Sequence, residues 1–188
     1  WNSPHYLGRL RALHEALYQH IMTGSYTPSS GPHAGKRVNY RDVIYCIDIR
    51  GYGNWGEWHS GEICDFNAYP TGRQPTNATL KEIIDLHTEV FDRWPLVMMV
   101  AGYDGGYTGI SLFGVSAEVS YYALTARNKW GAVGYRRDQW GATDTYLSRL
   151  MANNNQTYNG SQPFKTYILE QYKYAPVTGE PMPASLDM

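Results

Sequence analysis

The chain has 188 residues, of which 43% are hydrophobic, and a formal net charge of -1. This length is enough for one domain with a real core. The near-neutral charge, without a basic block, argues against nucleic acid as a partner. No apolar run approaches the roughly 20 residues needed to cross a bilayer, so we expect no membrane span.

The cysteines and the first residue bear on redox state and export. Cys46 and Cys64 are too few for a disulfide framework. The chain opens on Trp1 rather than Met, which suggests that something upstream was removed. The N-terminus therefore does not decide whether the protein is exported.

The aromatic content is unusual, because 17 tyrosines and 6 tryptophans stand against 4 phenylalanines. Tyr and Trp combine a flat apolar face with a polar edge. Sugars suit such rings, since their C–H faces stack on the ring while their hydroxyls hydrogen-bond at its rim. The alternative is that the tyrosines fill a wet margin of the core.

The pattern predicts helices alternating with strands. Ser3-Pro4 is typical of a helix start and Gly24 of a helix end. The predicted inner face of this first helix is Leu7, Leu10, Leu13, Leu17 and Ile21. A second helix is predicted from Asn77 or Thr79 to Arg93, with Leu80, Ile83, Ile84, His87 and Phe91 on its inner face. The other predicted helices cover 116–128, 143–152 and 164–172, and the predicted strands cover 43–49, 96–101, 130–135 and 175–178.

This alternation implies parallel strands with helical crossovers. No glycine-rich phosphate loop opens any helix, which disfavours a nucleotide-binding fold. Polar residues collect at each predicted strand's C-terminal end, where (β/α)8 barrels place their chemistry. Four strands are too few for a whole barrel of about 250 residues. We therefore expect a partial (β/α)8 barrel, strands four to seven, in which residues 1–188 form one domain that is a fragment and the rest of its own barrel is a partner.

Each predicted strand end carries candidate functional residues. They are Asp48, Arg50, Asn54, Glu57 and His59 after the first strand, Tyr103 and Asp104 after the second, Arg136, Arg137, Asp138 and Gln139 after the third, and Glu180 after the fourth. Acids at several strand ends of one barrel point toward one mouth. Most glycosidases cleave the glycosidic bond with two carboxyl groups that lie on opposite sides of it.

Glu57 lies in the stretch GYGNWGEWH, between Trp55 and Trp58. Packing between two indoles would remove solvent and raise the pKa of its carboxyl, which suits a general acid. Trp55 or Trp58 is expected to line the pocket rather than the barrel core. The alternative is that Glu57 bonds backbone amides in a tight turn that the neighbouring glycines permit.

Three other acids have structural alternatives. Asp138 could pair with Arg136 or Arg137 to organise the strand end. Asp104 lies in YDGGY, which is a turn sequence in its own right. Glu180 could bond backbone amides in a Thr-Gly-Glu-Pro turn.

A metal site is weakly indicated by His59, Glu62, Cys64 and Asp65. Their spacing matches no known ligand pattern, and a tetrahedral zinc site would need ligands from elsewhere. We therefore expect no metal and no cofactor. His87, on the inner face of a helix, is predicted to be a packed histidine.

The stretch VIYCIDIRGYGNWGEWHSGE resembles the strand-end signature of a group of bacterial glycoside-hydrolase-like (β/α)8 domains of largely unassigned substrate. VGYRRDQWG and APVTGEP resemble later strand ends of the same group, and the resemblance spans residues 42–181. It implies a barrel and a sugar ligand. In the large clan of retaining barrel glycosidases the acid after strand four usually follows an asparagine, whereas here Gly56 precedes Glu57.

The resulting hypothesis is a glycoside hydrolase that acts on poly- or oligosaccharide by a retaining mechanism. Numbering the strands four to seven puts Glu57 and Glu180 where that clan has its acid/base and its nucleophile. The substrate-binding residues would be Asp48, Arg50, Asn54, Trp55, Trp58, His59, Tyr103, Asp104, Arg137 and Asp138. A bacterial enzyme of this kind is expected to be secreted, periplasmic or at the cell surface. The alternatives are a non-catalytic carbohydrate-binding barrel and a metal-assisted hydrolase that uses His59 with Glu62 or Asp65.

Overall fold

The structure, a computed structural model, describes residues 1–53, 56–58, 75–99, 117–140 and 170–181. This part of the chain is α/β, with helices and a parallel sheet. The elements are α1 (Pro4–Thr23), β1 (Ser25–Tyr26), β2 (Val38–Asn39), β3 (Ile47–Ile49), α2 (Asn77–Val90), β4 (Leu96–Met99), α3 (Ala117–Thr125), β5 (Gly134–Trp140) and β6 (Val177–Pro181). Single 3-10 turns lie at Tyr40–Asp42 and Gln171–Lys173.

Helix α1 begins and ends where the sequence predicts. The Ser3 hydroxyl accepts a hydrogen bond from the His5 amide at 3.3 Å, and Pro4 occupies the first helical position. At the other end, the Gly24 amide donates to the His20 carbonyl at 2.8 Å. Each bond satisfies a backbone group that a helix end leaves without an intrahelical partner.

The predicted inner face of α1 is partly wrong. Leu7, His14 and Ile21 are buried, whereas Leu13 and Leu17 are 63% and 44% exposed. The buried residues recur every seven positions, so the contact stripe follows one seam of the helix. Leu13 and Leu17 lie beside that seam. The spacing of the leucines in the sequence does not determine which side of the helix faces the core.

Helix α2 begins at Asn77 as predicted, but it ends at Val90 rather than at the predicted Arg93. Thr76 caps it, since its hydroxyl accepts a hydrogen bond from the Thr79 amide at 3.1 Å. Asn2 adds a cap from a distant part of the chain, because its Oδ1 accepts from the Thr76 amide at 2.8 Å and the Thr79 hydroxyl at 2.7 Å. All five residues of the predicted inner face are buried: Leu80, Ile83, Ile84, His87 and Phe91.

In the described residues the main sheet has four parallel strands in the order β3-β4-β5-β6. Helices α2 and α3 connect β3 to β4 and β4 to β5, as the predicted alternation requires. A second, two-stranded sheet pairs β1 with β2 in antiparallel fashion. The α/β class and the parallel sheet are therefore confirmed.

The strand register places an apolar row on one face of the sheet and the charged residues on the other face. Ile49 aligns with Met98, and Met98 aligns with Tyr135. These side chains are buried, and Ile49 and Met98 belong to the same core cluster as the inner face of α2. Because successive residues of a strand alternate between faces, Asp48 and Arg136 project from the opposite face. One face of the sheet thus packs against the helices, and the other carries Asp48 and Arg136 beside the buried side chains of Val97 and Met99.

Three of the predicted strands have wrong limits: those predicted at 43–49, 130–135 and 175–178 are observed at Ile47–Ile49, Gly134–Trp140 and Val177–Pro181. The strand predicted at 43–49 contracts to β3, so Val43 and Tyr45 lie outside it and are exposed. The third strand, predicted to end at Tyr135, continues to Trp140 and includes Arg136, Arg137 and Asp138. The fourth continues to Pro181 and includes Glu180. Ladder bonds between β5 and β6 hold these polar residues in strand geometry, with Arg136 opposite Thr178 and Arg137 opposite Gly179.

Among the residues that the structure describes, no helix has the length and apolar character needed to cross a membrane. The helix predicted at 143–152 lies outside the described residues.

Candidate functional site

The site forms where the chain leaves β3 and turns back on itself. Gly51, Gly53 and Gly56 have φ angles of 126°, 84° and 74°, and Trp58 has a φ of 64°. Left-handed φ values cost a side chain about 1–2 kcal/mol, so glycine is the natural choice at such positions. The turn returns residue 57 to the side of Tyr52, with which it forms a parallel bridge.

Trp58 carries the strained backbone and belongs to the core. Its side chain is 2% exposed, its amide donates to the Tyr52 carbonyl at 2.8 Å and its indole Nε1 donates to the Ile49 carbonyl at 2.6 Å. This overturns the expectation that Trp58 lines a pocket, because a sugar platform needs an open ring face. The indole instead fastens the turn to the strand before it.

Four charged side chains meet at this point. Arg50 donates from Nε to Oδ2 of Asp48 at 2.7 Å and from Nη1 to Oε1 of Glu57 at 2.9 Å. Arg136 donates from Nη1 to the same Asp48 oxygen at 3.1 Å and from Nη2 to the same Glu57 oxygen at 3.2 Å. Each guanidinium therefore bridges both carboxylates. We call these residues the four-charge cluster.

The sheet explains why Arg136 can reach Asp48 across 88 positions of sequence. Asp48 aligns with Val97 on β4, and Met99, two residues further along β4, aligns with Arg136 on β5. All of these residues lie on the same face, because a spacing of two keeps the face in a strand. Arg136 is only 5% exposed, so its charge needs the two carboxylates as partners.

Within the cluster the Glu57 carboxyl behaves opposite to the prediction. Burial by itself raises its pKa and is the largest single effect. Hydrogen bonds and charge from Arg136, followed by those from Arg50, together outweigh burial and lower the pKa. The expected general acid is therefore an ionised carboxylate, because two guanidiniums oppose the desolvation that the aromatic surroundings suggested.

Asp48 behaves in the other direction. Burial raises the pKa of its carboxyl and is the largest effect. The charges of Arg50 and Arg136 and the hydrogen bond from Arg50 lower the pKa, but they offset burial only in part. The negative charge of Glu57 raises the pKa further. Both guanidiniums bind Oδ2, and within the described residues Oδ1 is buried with no hydrogen-bond partner. An unpartnered carboxylate oxygen in the interior is costly when it is ionised.

The cluster thus brings together three of the predicted site residues, Asp48, Arg50 and Glu57. Arg136 was noted at a strand end but not chosen for the site. Because successive residues of a strand alternate between faces, the sequence RRD alone does not show which face Arg136 takes. Only the register of β5 against β4 shows that Arg136 shares the face of Asp48.

The remaining predicted site residues divide into two groups. Asn54, Trp55, His59, Tyr103 and Asp104 lie outside the described residues. The backbones of Arg137, Asp138 and Glu180 lie in β5 and β6, and the description does not extend to their side chains. The separation of the Glu57 and Glu180 carboxyl groups therefore stays a prediction.

The weakly indicated metal site, His59 with Glu62, Cys64 and Asp65, also lies outside the described residues. In the described ranges, no group of three or more His, Cys, Asp or Glu side chains is arranged to hold a metal ion.

Comparison with known proteins gives no match: no protein-family model, no curated protein and no solved structure is similar to this chain.

Proposed function

We propose that the protein is a glycoside hydrolase that cleaves poly- or oligosaccharide at the carboxyl ends of the strands of a partial (β/α)8 barrel. The observation that carries the proposal is the four-charge cluster, which projects from the face of the sheet opposite the helices. Enzymes with parallel strands place catalytic groups at the carboxyl ends of those strands. The strand-end motif that resembles glycoside-hydrolase-like barrels contains three members of this cluster.

In this proposal Glu57 acts as an ionised carboxylate. A retaining glycosidase needs one protonated carboxyl to give a proton to the leaving oxygen and one ionised carboxylate to attack the anomeric carbon. The lowered pKa of Glu57 suits the second role. We therefore assign attack to Glu57 and proton donation to Glu180, which reverses the roles that strand counting implied. Asp138 is the alternative donor.

The retaining mechanism requires a specific distance between the carboxyl groups of Glu57 and Glu180. The two carboxyl groups should lie about 5–5.5 Å apart, whereas an inverting enzyme separates them by about 6.5–9.5 Å to admit a water molecule. An experimental structure with a saccharide bound would give this distance. A separation above about 10 Å would rule out Glu180 as the second carboxyl and favour Asp138.

The test begins with a screen of the protein on a panel of polysaccharides, followed by Glu57→Ala on any substrate found. Loss of several orders of magnitude in kcat is expected. Azide can then replace the missing group. If Glu57 is the nucleophile, azide attacks the sugar directly and the glycosyl azide has inverted configuration. If Glu57 is the acid/base, the nucleophile still reacts first and the glycosyl azide has retained configuration, which would contradict the assignment.

One observation favours the second candidate, a non-catalytic carbohydrate-binding barrel. Both guanidiniums bind the same oxygen of Glu57, as in an ion network that serves only to hold a loop. In that case the protein would bind a saccharide without turnover. Glu57→Gln would then weaken binding by a modest factor, and calorimetry on the same panel would measure it.

A further inference from the structure

The buried histidine of α2 makes a contact with the four-charge cluster. His87 is 2% exposed, and its Nε2 lies 3.2 Å from the backbone amide of Arg50, the first residue after β3. On the other side of the ring, Nδ1 lies 2.8 Å from the Ile83 carbonyl, one helical turn earlier. The ring therefore connects helix α2 to the start of the turn that follows β3.

The two partners determine the tautomer of His87. A carbonyl oxygen can only accept, so Nδ1 must carry the proton that is shared with Ile83. A backbone amide can only donate, so Nε2 must be without a proton and accept from Arg50. The neutral imidazole satisfies both contacts, and imidazolium could not satisfy the second. Burial, followed by the neighbouring His14, lowers the pKa of His87 to about 3, which keeps the ring neutral above that pH.

We propose that His87 is a positioning residue, which holds the backbone of Arg50 so that its guanidinium bridges Asp48 and Glu57. Arg50 reaches both carboxylates with different nitrogens, so a small shift of its backbone would lengthen both bonds. The importance of this for turnover rests on the proposed function, whereas the positioning itself does not.

The neighbouring His14 supplies a matched control. It is also buried, and its ring centroid lies 4.1 Å from that of His87. Within the described residues, its Nδ1 is buried without a hydrogen-bond partner. His14→Phe and His87→Phe therefore replace neighbouring rings of the same core, but only the second removes the acceptor of the Arg50 amide.

The first measurement uses the unaltered protein. Long-range proton–nitrogen NMR spectra of the His87 ring at neutral pH should show a protonated Nδ1 and an unprotonated Nε2. The opposite tautomer would overturn the proposal without any substitution being made.

The second measurement compares variants by amide hydrogen exchange and carboxyl titration. In His87→Phe the Arg50 amide should exchange on the order of tenfold faster relative to its neighbours, because it loses one hydrogen bond. The pKa of Glu57, followed by carbon NMR, should rise as Arg50 withdraws. His14→Phe should leave both values unchanged, and His87→Gln, whose Oε1 can accept from the amide, should restore both. Unchanged values in a folded His87→Phe protein would overturn the proposal.

The third measurement concerns turnover and separates the two proposals. If the protein is a glycosidase, His87→Phe should lower kcat with little change in KM, and His87→Gln should recover it. If the NMR results hold and no saccharide is turned over, the proposed function fails while the positioning role stands. If turnover exists and is equal in His87→Phe and His14→Phe, the positioning role fails while the proposed function stands.

Discussion

At the scale of single residues, the two carboxylates of the cluster show how similar partners produce opposite results. Asp48 and Glu57 each accept hydrogen bonds from both Arg50 and Arg136. For Asp48, burial outweighs the guanidiniums and the pKa rises, whereas for Glu57 the guanidiniums outweigh burial and the pKa falls. Carboxyl groups whose pKa values are driven apart can hold different protonation states at one pH.

The first prediction compares the neutral analogues of these two acids. At pH 7, Glu57→Gln should lower the free energy of unfolding by about 1–3 kcal/mol, because the fold favours its ionised form. Asp48→Asn should cost less, since the ionised form of Asp48 is the one that the fold disfavours. Denaturant unfolding of both variants measures this.

The pH dependence of that comparison provides its internal control. A lowered folded-state pKa means that the contribution of Glu57 is fully present above its unfolded value of 4.5 and is lost as the pH falls through the folded value. The penalty of Glu57→Gln should therefore shrink toward zero in acid. A larger penalty for Asp48→Asn than for Glu57→Gln at pH 7 would contradict the assignment.

The second prediction concerns the indole that fastens the loop. Trp58→Phe keeps an aromatic ring but removes the donor to the Ile49 carbonyl, which lies in a fully buried residue. Leaving a buried acceptor unsatisfied costs about 1–3 kcal/mol. Thermal and denaturant unfolding would measure the loss. Trp94→Phe, at another buried tryptophan, controls for ring size, and an equal loss there would show that the Ile49 bond contributes nothing.

At the scale of elements, the turn after β3 brings Glu57 back to the end of that strand, beside Arg50. Tyr6, on α1, donates from its hydroxyl to the Gly51 carbonyl at 2.7 Å, and Trp58 contacts the strand from the other end of the turn. A Cβ on Gly56 would lie 3.3 Å from the Gly51 amide nitrogen and 3.4 Å from the Cβ of Arg50. The turn therefore has neither the φ angle nor the space for a side chain at position 56.

The third prediction uses this constraint. Gly56→Ala should destabilise the protein by at least about 1–2 kcal/mol, the cost of a left-handed residue with a side chain. It should also displace Glu57, which is the next residue. Denaturant unfolding measures the first effect and the Glu57 pKa the second.

Gly8 on α1 is the matched control for that substitution. It is exposed, and nothing lies within 4 Å of the Cβ it would gain. Gly8→Ala should stabilise the protein by up to about 1 kcal/mol, because alanine favours a helix interior. The same chemical change is thus expected to have opposite signs at the two positions. Two changes of the same sign would contradict this account of the turn.

The elements themselves show how far sequence patterns reach. The buried face of helix α2 was predictable because it is encoded within one short stretch. The rotation of α1 was not predictable in the same way, since Leu13 and Leu17 are exposed while His14 is buried. Periodicity defines a stripe of apolar residues, but the partner helix decides which side of that stripe is covered.

Three of the four residues of the cluster were predictable from the sequence, and the fourth was not. Asp48, Arg50 and Glu57 follow each other closely at the end of one strand, so their proximity could be read from the sequence. Arg136 comes from a strand that lies two positions away in the sheet, and its face depends on the register. A one-residue change of register moves every side chain to the other face. The two guanidiniums lower the pKa of Glu57, whereas the neighbouring tryptophans had suggested that it would be raised.

At the scale of the whole molecule, a pair of neutral histidines lies at the interface of α1 and α2. His14 and His87 contact each other edge to face, and both contact Phe91. Burial lowers the pKa of both rings; the charge of Arg11 adds to the effect on His14, and His14 adds to the effect on His87. The Ile83 carbonyl opposes the shift of His87 without reversing it.

The fourth prediction is that these rings make the fold sensitive to mild acid. The pKa of His87 is about 3 in the folded protein, against the ordinary histidine value of 6.5 that applies to the unfolded chain. Above 6.5 both states are neutral and stability is complete. Between pH 6.5 and about 3, the unfolded chain binds a proton at His87 that the folded protein does not bind. The free energy of unfolding should therefore fall by up to about 1.4 kcal/mol per pH unit for this ring over that range. His14 acts in the same direction.

Denaturant unfolding at a series of pH values between about 7 and 5 would measure this slope. His87→Gln should remove up to one proton of linkage, and the double variant His14→Gln with His87→Gln should remove more. Asp48 opposes the trend, since its raised pKa lets the folded protein hold a proton that the unfolded chain has released. Asp48→Asn in the same series should therefore steepen the slope wherever Asp48 titrates in the folded protein. A slope that His87→Gln leaves unchanged would show that His87 takes up its proton in the folded protein as readily as in the unfolded chain, and the neutral tautomer that holds Arg50 would then be lost in mild acid.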